Sequence, residues 1–251
     1  MKKDKKKSDI PVKATPQSGN LWRARVLPIS DFEFCSPPAN MKIGQGELVV
    51  MSTRYGIDIA RILGPVSNLD SVGNAEVRQI IRIASKKDLS KHRSLEKLEK
   101  EAFEICRAEI SALKLSMKLV SSHYTFDKWK ILFFFTADGR VDFRELVRLL
   151  AVRFKRRIEL RQIGARDETR VIGGVGVCGR LYCCHSITDR LATVPVKTAK
   201  DQNLPPSLLK TSGQCGRLLC CLSYELGHQA SKEKSGVADG KTKYKCGGYT
   251  F

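Results

Sequence analysis

Lys130-Ile-Leu-Phe-Phe-Phe135 is a short apolar run that reads as extended chain, and Ala137-Asp138-Gly139 closes it with a turn. Phe143, Leu146, Val147, Leu150 and Phe154 then recur at helical spacing, and Arg156-Arg-Ile-Glu-Leu-Arg-Gln-Ile163 alternates as a strand. Upstream, Tyr124-Thr-Phe-Asp127 also reads as extended, and before it lies a long amphipathic pattern. Leu95, Leu98, Ala102, Ile105, Cys106, Glu109, Leu113 and Met117 return every three or four residues, which predicts one helix over Leu95 to Val120 with Ser94 as its N-cap. Helix, strand, helix, strand in that order implies two amphipathic helices packed on one face of a sheet. Cys106 falls on the apolar stripe, where it reads as a small core hydrophobe. Phe133 to Phe135 are candidates for stacking RNA bases, but neighbouring strand residues point to opposite faces, so core packing is the favoured reading.

From Leu21 to about Ala84 the pattern differs. Trp22-Arg-Ala-Arg-Val26, Glu47-Leu-Val-Val-Met51 and Gly56-Ile-Asp-Ile-Ala-Arg-Ile-Leu63 are short apolar runs between glycine and proline. Ile57, Ile59 and Arg61 alternate beyond an Arg54-Tyr55-Gly56 turn, which predicts a β-hairpin within a small β module. The fold class expected is α+β: a small N-terminal β module, an α/β layer with two amphipathic helices on a sheet, and a Cys-rich loop module. The expected boundaries are a disordered basic tail over 1–19, the β-rich module over 20–85, the α+β layer over 86–172, the Cys-rich module over 173–226 and a flexible tail over 227–251. Lys2, Lys3, Lys5, Lys6 and Lys7 give the first tail its charge, and its scarcity of apolar residues gives it no core to order around.

Chemistry concentrates in the Cys-rich module. Cys178-Gly-Arg-Leu-Tyr-Cys183-Cys184 returns 37 residues later as Cys215-Gly-Arg-Leu-Leu-Cys220-Cys221, so six of the nine cysteines stand in one repeat. No apolar h-region follows the first lysines and no run approaches a membrane span, so the chain is expected to be cytoplasmic. In a reducing compartment clustered cysteines point to metal rather than to disulfides. Gly179 and Gly216 directly follow the first cysteine of each copy, supplying the conformational freedom that a loop wrapping a metal needs. Arg180 and Arg217 follow them, placing permanent positive charge where it would face an anionic cluster or a phosphate. Adjacent cysteines diverge from one another, so a pair is shared between two centres, or between a metal and a subunit interface, more naturally than used twice on one ion. Zinc is the rival metal, although Cys-x4-Cys-Cys lies at the edge of its usual ligand spacing.

Lys and Arg number 45 against 26 Asp and Glu, a formal net charge of +19 that points to anionic partners such as RNA or acidic proteins. Two four-iron clusters would lower it only to roughly +15. Paired carboxylates, a phosphate loop and triad spacing are not found, so an enzyme is not expected. His185 beside one copy has no counterpart in the other, and His123 and His228 read as surface or core residues.

The chain resembles bacterial proteins of the YaaT (RicT) type, stage 0 sporulation proteins with the PSP-one C-terminal domain. The likeness runs from about Gly46 to Glu225 and rests on Met117-Lys-Leu-Val120, Tyr124-Thr-Phe-Asp127, Ala137-Asp-Gly-Arg-Val-Asp-Phe-Arg-Glu-Leu-Val147, Arg157-Ile-Glu-Leu-Arg-Gln-Ile-Gly164, Ala199-Lys-Asp-Gln-Asn203 and both cysteine copies. It implies a non-catalytic regulatory subunit that joins RicA and RicF, carries 4Fe-4S clusters and directs RNase Y to mRNA processing. On that reading Cys178, Cys183, Cys184, Cys215, Cys220 and Cys221 are the cluster ligands, while Cys35, Cys106 and Cys246 stand outside the motif. Val177 stands where a proline is expected before the first motif cysteine, and Pro205-Pro206-Ser207-Leu208-Leu209 stands where an Asn-Pro turn is expected before the second copy; both reshape the loops without removing a thiol. The alternative is an RNA- or DNA-binding protein with a structural zinc-cysteine module.

Overall fold

The computed structural model describes residues 21–27, 29–66, 75–187, 193–201 and 211–223, so both expected tails, Cys246 and His228 lie outside the described residues. The chain divides into two compact units, Met1–Gly173 and Gly174–Phe251. The fold class is α+β, and its β module is a closed barrel.

Five strands close that barrel in the order β1-β2-β5-β3-β4: β1 (Trp22–Val26), β2 (Phe32–Ser36), β3 (Leu48–Thr53), β4 (Gly56–Pro65) and β5 (Val77–Ile83). The predicted hairpin is β3 and β4, antiparallel from Thr53 opposite Gly56 to Leu48 opposite Arg61. Ala24, Val26, Cys35, Val49, Met51, Ala60, Ile62 and Ile80 form a buried core. Val50 and Ile59 alternate with those residues and join a second core instead. The unbroken Val49-Val50-Met51 run is therefore a strand covered on both faces.

Three strands make the second sheet, ordered β6 (Lys118–Tyr124), β7 (Lys130–Thr136) and β8 (Arg157–Gln162), with β6 antiparallel and β8 parallel to β7. Helices α1 (Lys86–Ala112) and α2 (Arg144–Phe154) contribute Leu95, Ala102, Cys106, Ile110, Leu146 and Leu150 to the same core as Ile131 and Phe133. Leu132 and Phe134 point the other way and pack with Ile29 and Tyr55, so Phe133 to Phe135 are core residues at 2% exposure or less. Between β6 and β7 the chain turns over 125–129, so of the stretch 124–127 expected to be extended only Tyr124 is strand, while 137–139 carries β7 out toward α2. Helix α3 (Ala165–Ile172) follows β8.

Helix α1 differs from expectation at both ends. Its N-cap is Ser85, not Ser94, with a capping box in which the Ser85 side chain accepts from Asp88 N–H and Asp88 accepts from Ser85 N–H. The first two turns are largely solvated, so they carry little apolar periodicity to mark them. Ser94 lies inside the helix, and its hydroxyl donates to the Lys91 carbonyl. At the other end the helix stops at Ala112, Lys114 turns left-handed at φ 49°, and β6 begins at Lys118. Leu113, Leu115 and Met117 pack on the core at a spacing of two, and counting only Leu113 and Met117 mimics a helical step. Glu109, placed on the stripe by spacing, accepts instead from Arg153 of α2 at 3.2 Å.

Candidate metal centre

Both cysteine copies fold into the same loop. Gly176 N–H donates to the Arg180 carbonyl at 2.7 Å and Gly213 N–H to that of Arg217 at 2.9 Å. Gly179 N–H donates to Gly176 and Gly216 N–H to Gly213, at 3.0 and 2.9 Å. The loops are closed by matching bridges, Val175 with Leu181 and Ser212 with Leu218. Gly179 and Gly216 have φ of 74° and 71°, a left-handed turn that glycine adopts at least cost. Each copy then runs into a short helical turn, which in the first is α4 (Cys183–Ser186). The one remaining described helix of this unit is α5 (Val196–Asp201).

Cysteines of the two loops converge. The thiol of Cys183 lies within hydrogen-bonding reach of Cys220, its counterpart in the other copy, and Cys221 and Cys178 act on it electrostatically. Burial first, then the neighbouring Cys220 thiol, raises the Cys183 pKa to about 11. A Cys183 thiol whose ionisation is opposed by burial and by a neighbouring sulfur would be relieved by a bound cation. The donor chemistry thus suits iron or zinc. The ligand set is not closed, because among the described residues no three of His, Cys, Asp and Glu stand together around one metal position.

The two members of each Cys-Cys pair differ in burial. Cys184 is buried at 7% exposure, whereas its counterpart Cys221 is exposed. Cys178 is exposed, and Cys183, Cys215 and Cys220 are half-buried. Arg180 and Arg217 are exposed and serve the loops through their carbonyls. His185 is half-buried on α4. Cys35 and Cys106 belong to the two large cores of the other unit, where burial pushes both thiols up to about 12.

A second ionisable cluster was not signalled by any motif. His123 of β6 is 2% exposed, with Nδ1 at 2.8 Å from Glu99 Oε1 of α1 and Nε2 at 3.2 Å from Asp58 Oδ1 of β4. Burial alone would lower the imidazole pKa, but Asp58 and then Glu99 overcome it and hold it at about 9. Both nitrogens therefore carry protons and donate, which leaves the ring no lone pair with which to act as a base. The same carboxylates accept from the backbone N–H of Tyr124 and Phe126 at 2.8 and 3.1 Å. The cluster ties barrel, helix and sheet together beneath a cleft of about 650 Å³. Sequence separations of 24 and 65 residues hide it from any local pattern.

Comparison with known proteins adds to this geometry. The family model described as the PSP1 C-terminal conserved region matches residues 78–163, and the one described as PSP1-like protein, third domain, matches 193–234. The first match starts within β5 and ends just after β8, and the second contains the Cys215 copy. The chain is 44% identical over 189 residues to Stage 0 sporulation protein YaaT of Bacillus subtilis (strain 168), covering 75% of this chain and 69% of that protein. It is 30% identical over 109 residues to the uncharacterized protein PB7E8.02 of Schizosaccharomyces pombe, which spans 43% of this chain and 14% of that protein. No solved structure matches.

Proposed function

Because this chain belongs to the YaaT family of PSP1-domain proteins, we propose that it is a non-catalytic regulatory adaptor whose cysteine loops hold an iron-sulfur cluster. The observation that supports this reading best is the meeting of Cys183 and Cys220, one from each loop, with Cys178 and Cys221 in the same field. Cys178, Cys183, Cys184, Cys215, Cys220 and Cys221 are the proposed ligands, and a bound 4Fe-4S cluster would supply an anionic centre held by thiolate bonds. The loops present sulfur on glycine-shaped turns, and the burial of Cys184 shields one side from water. Six thiols fall short of the eight that two such clusters need, so further donors come from a partner subunit. By family resemblance the partners are of the RicA and RicF type, the complex directs RNase Y to mRNA, the compartment is the cytoplasm and the setting is sporulation-type regulation. Among the described residues no helix is long and apolar enough to cross a membrane.

Iron, zinc and acid-labile sulfide measured on protein purified without air test the proposal. Iron and sulfide in comparable amounts are expected, with C183A and C220A each lowering both. A colourless protein with stoichiometric zinc and no sulfide would overturn the cluster and favour the zinc-cysteine alternative, in which the module is structural and the chain binds nucleic acid.

A further inference from the structure

Trp129 is 67% exposed, yet its position is closely held. Its backbone N–H donates to Asp127 Oδ1 at 3.0 Å, and the same oxygen accepts from the Thr125 hydroxyl at 2.6 Å. Thr125 and Lys130 bond across the turn, and Phe126 N–H is anchored on the Ile57 carbonyl of the barrel at 2.9 Å. A large indole on a firm hydrogen-bonded turn, pointed away from both cores, leaves apolar surface in water that folding does not use.

Its surroundings are basic. In the parallel register Lys130 pairs with Arg157, so Trp129 and Arg156, one step before each, share one end of the sheet. Tyr124, opposite Ile131 at that end, lies within the electrostatic reach of Arg156. Lys155, Arg156 and Arg157 are exposed. Lys91 of α1 stands 4.0 Å over the ring of Phe126, in the same turn as Trp129. Lys128 and Lys155 both adopt left-handed backbone, φ 59° and 52°, which glycine or asparagine would take at lower cost. Of the nearby acids, Asp127 holds the turn and Glu159 pairs with Lys130 and Arg161, while Glu101 acts on Tyr124 against Arg156 and leaves the cations in excess.

We propose that Trp129 with Lys128, Lys155, Arg156 and Arg157 forms a binding site for single-stranded nucleic acid, one base stacking on the indole while the cations meet flanking phosphates. An exposed aromatic side chain beside a surplus of positive charge is the pairing that single-strand sites use, and the backbone of the turn that carries it is ordered in advance. The site lies in the unit that lacks the cysteine repeat, and it stands whether or not a cluster is bound.

The test uses the full chain with labelled oligouridine, oligothymidine of equal length and a duplex, titrated across salt concentrations. Wild type should prefer both single strands to the duplex, and W129A should weaken single-strand binding about 10-fold or more while leaving its salt dependence unchanged. W129F should recover part of the loss. Neutralising Lys155, Arg156 and Arg157 together should lower the salt slope by about 2, since each single-strand phosphate contact contributes about 0.7. Tighter binding of oligouridine than of oligothymidine would assign RNA, and equal binding a site that accepts both. Iron content, read on the same variants, should stay at the wild-type value, which separates this site from the cluster. Wild-type affinity in W129A and an unchanged slope in the charge variant would overturn the proposal. So would a W129A defect confined to anionic vesicles or protein partners.

Discussion

Replacing His123 with glutamine removes the positive charge held between Asp58 and Glu99. The folded pKa of about 9 against the ordinary 6.5 corresponds to roughly 3 kcal/mol of stabilisation. Because the folded value is raised, that stabilisation is complete below about pH 6.5, where folded and unfolded chains both hold the proton, and is lost as pH rises through about 9. Glutamine keeps polar atoms at the site but leaves two carboxylates facing a neutral amide, and breaking a buried pair in this way costs about 3 to 5 kcal/mol. Urea unfolding in reductant, followed by the fluorescence of Trp22 and Trp129, reports on the unit that contains His123, because both tryptophans lie before Gly173. H123Q should be less stable by about 3 kcal/mol or more near pH 6, with an unchanged denaturant slope, and the deficit should shrink toward pH 9. A deficit below about 1 kcal/mol near pH 6, or one that stays constant to pH 9, would refute the charged strut.

Other measurements reach the remaining elements. S85A should cost about 1 kcal/mol by opening the capping box of α1, whereas S94A, whose hydroxyl bonds only within the helix, should be near neutral in the same unfolding assay. Native alkylation read by peptide mass spectrometry on metal-free protein should label Cys178 and Cys221 first and spare Cys35 and Cys106 until the chain is denatured, since burial holds the last two thiols protonated; early labelling of Cys106 would contradict its place in the core. G179A and G216A should each cost about 1 kcal/mol or more through backbone strain alone, as open space surrounds both positions, and should lower metal content to a similar degree. G174A should be worse than either, because its Cβ would stand 2.7 Å from the ring of Tyr182.

Much of this molecule was legible in local pattern. The β3–β4 hairpin, α2 and β8 follow from periods of two and of three to four, and the apolar face of α1 marks the helix even though its ends are misplaced. Ser85 was missed because solvated first turns carry no periodic signal, and the start of β6 because Leu113 and Met117 fit two periods at once. The cysteine repeat was plain in sequence, as was the need for glycine after its first thiol. That Cys183 meets its own counterpart, while Cys184 is buried and Cys221 exposed, depends on how two copies of a loop pack, which no single copy encodes.

By itself the sequence determined the α+β class, the basic character and the thiols set aside for chemistry, because periodicity, charge and spacing are local properties. Tertiary structure alone decided that the β module closes into a barrel, that His123 is charged between two carboxylates from distant elements, and that Trp129 stands outside both cores among cations. Each depends on which strands become neighbours, and pairing across tens of residues is settled by the joint burial of two faces rather than by any one segment.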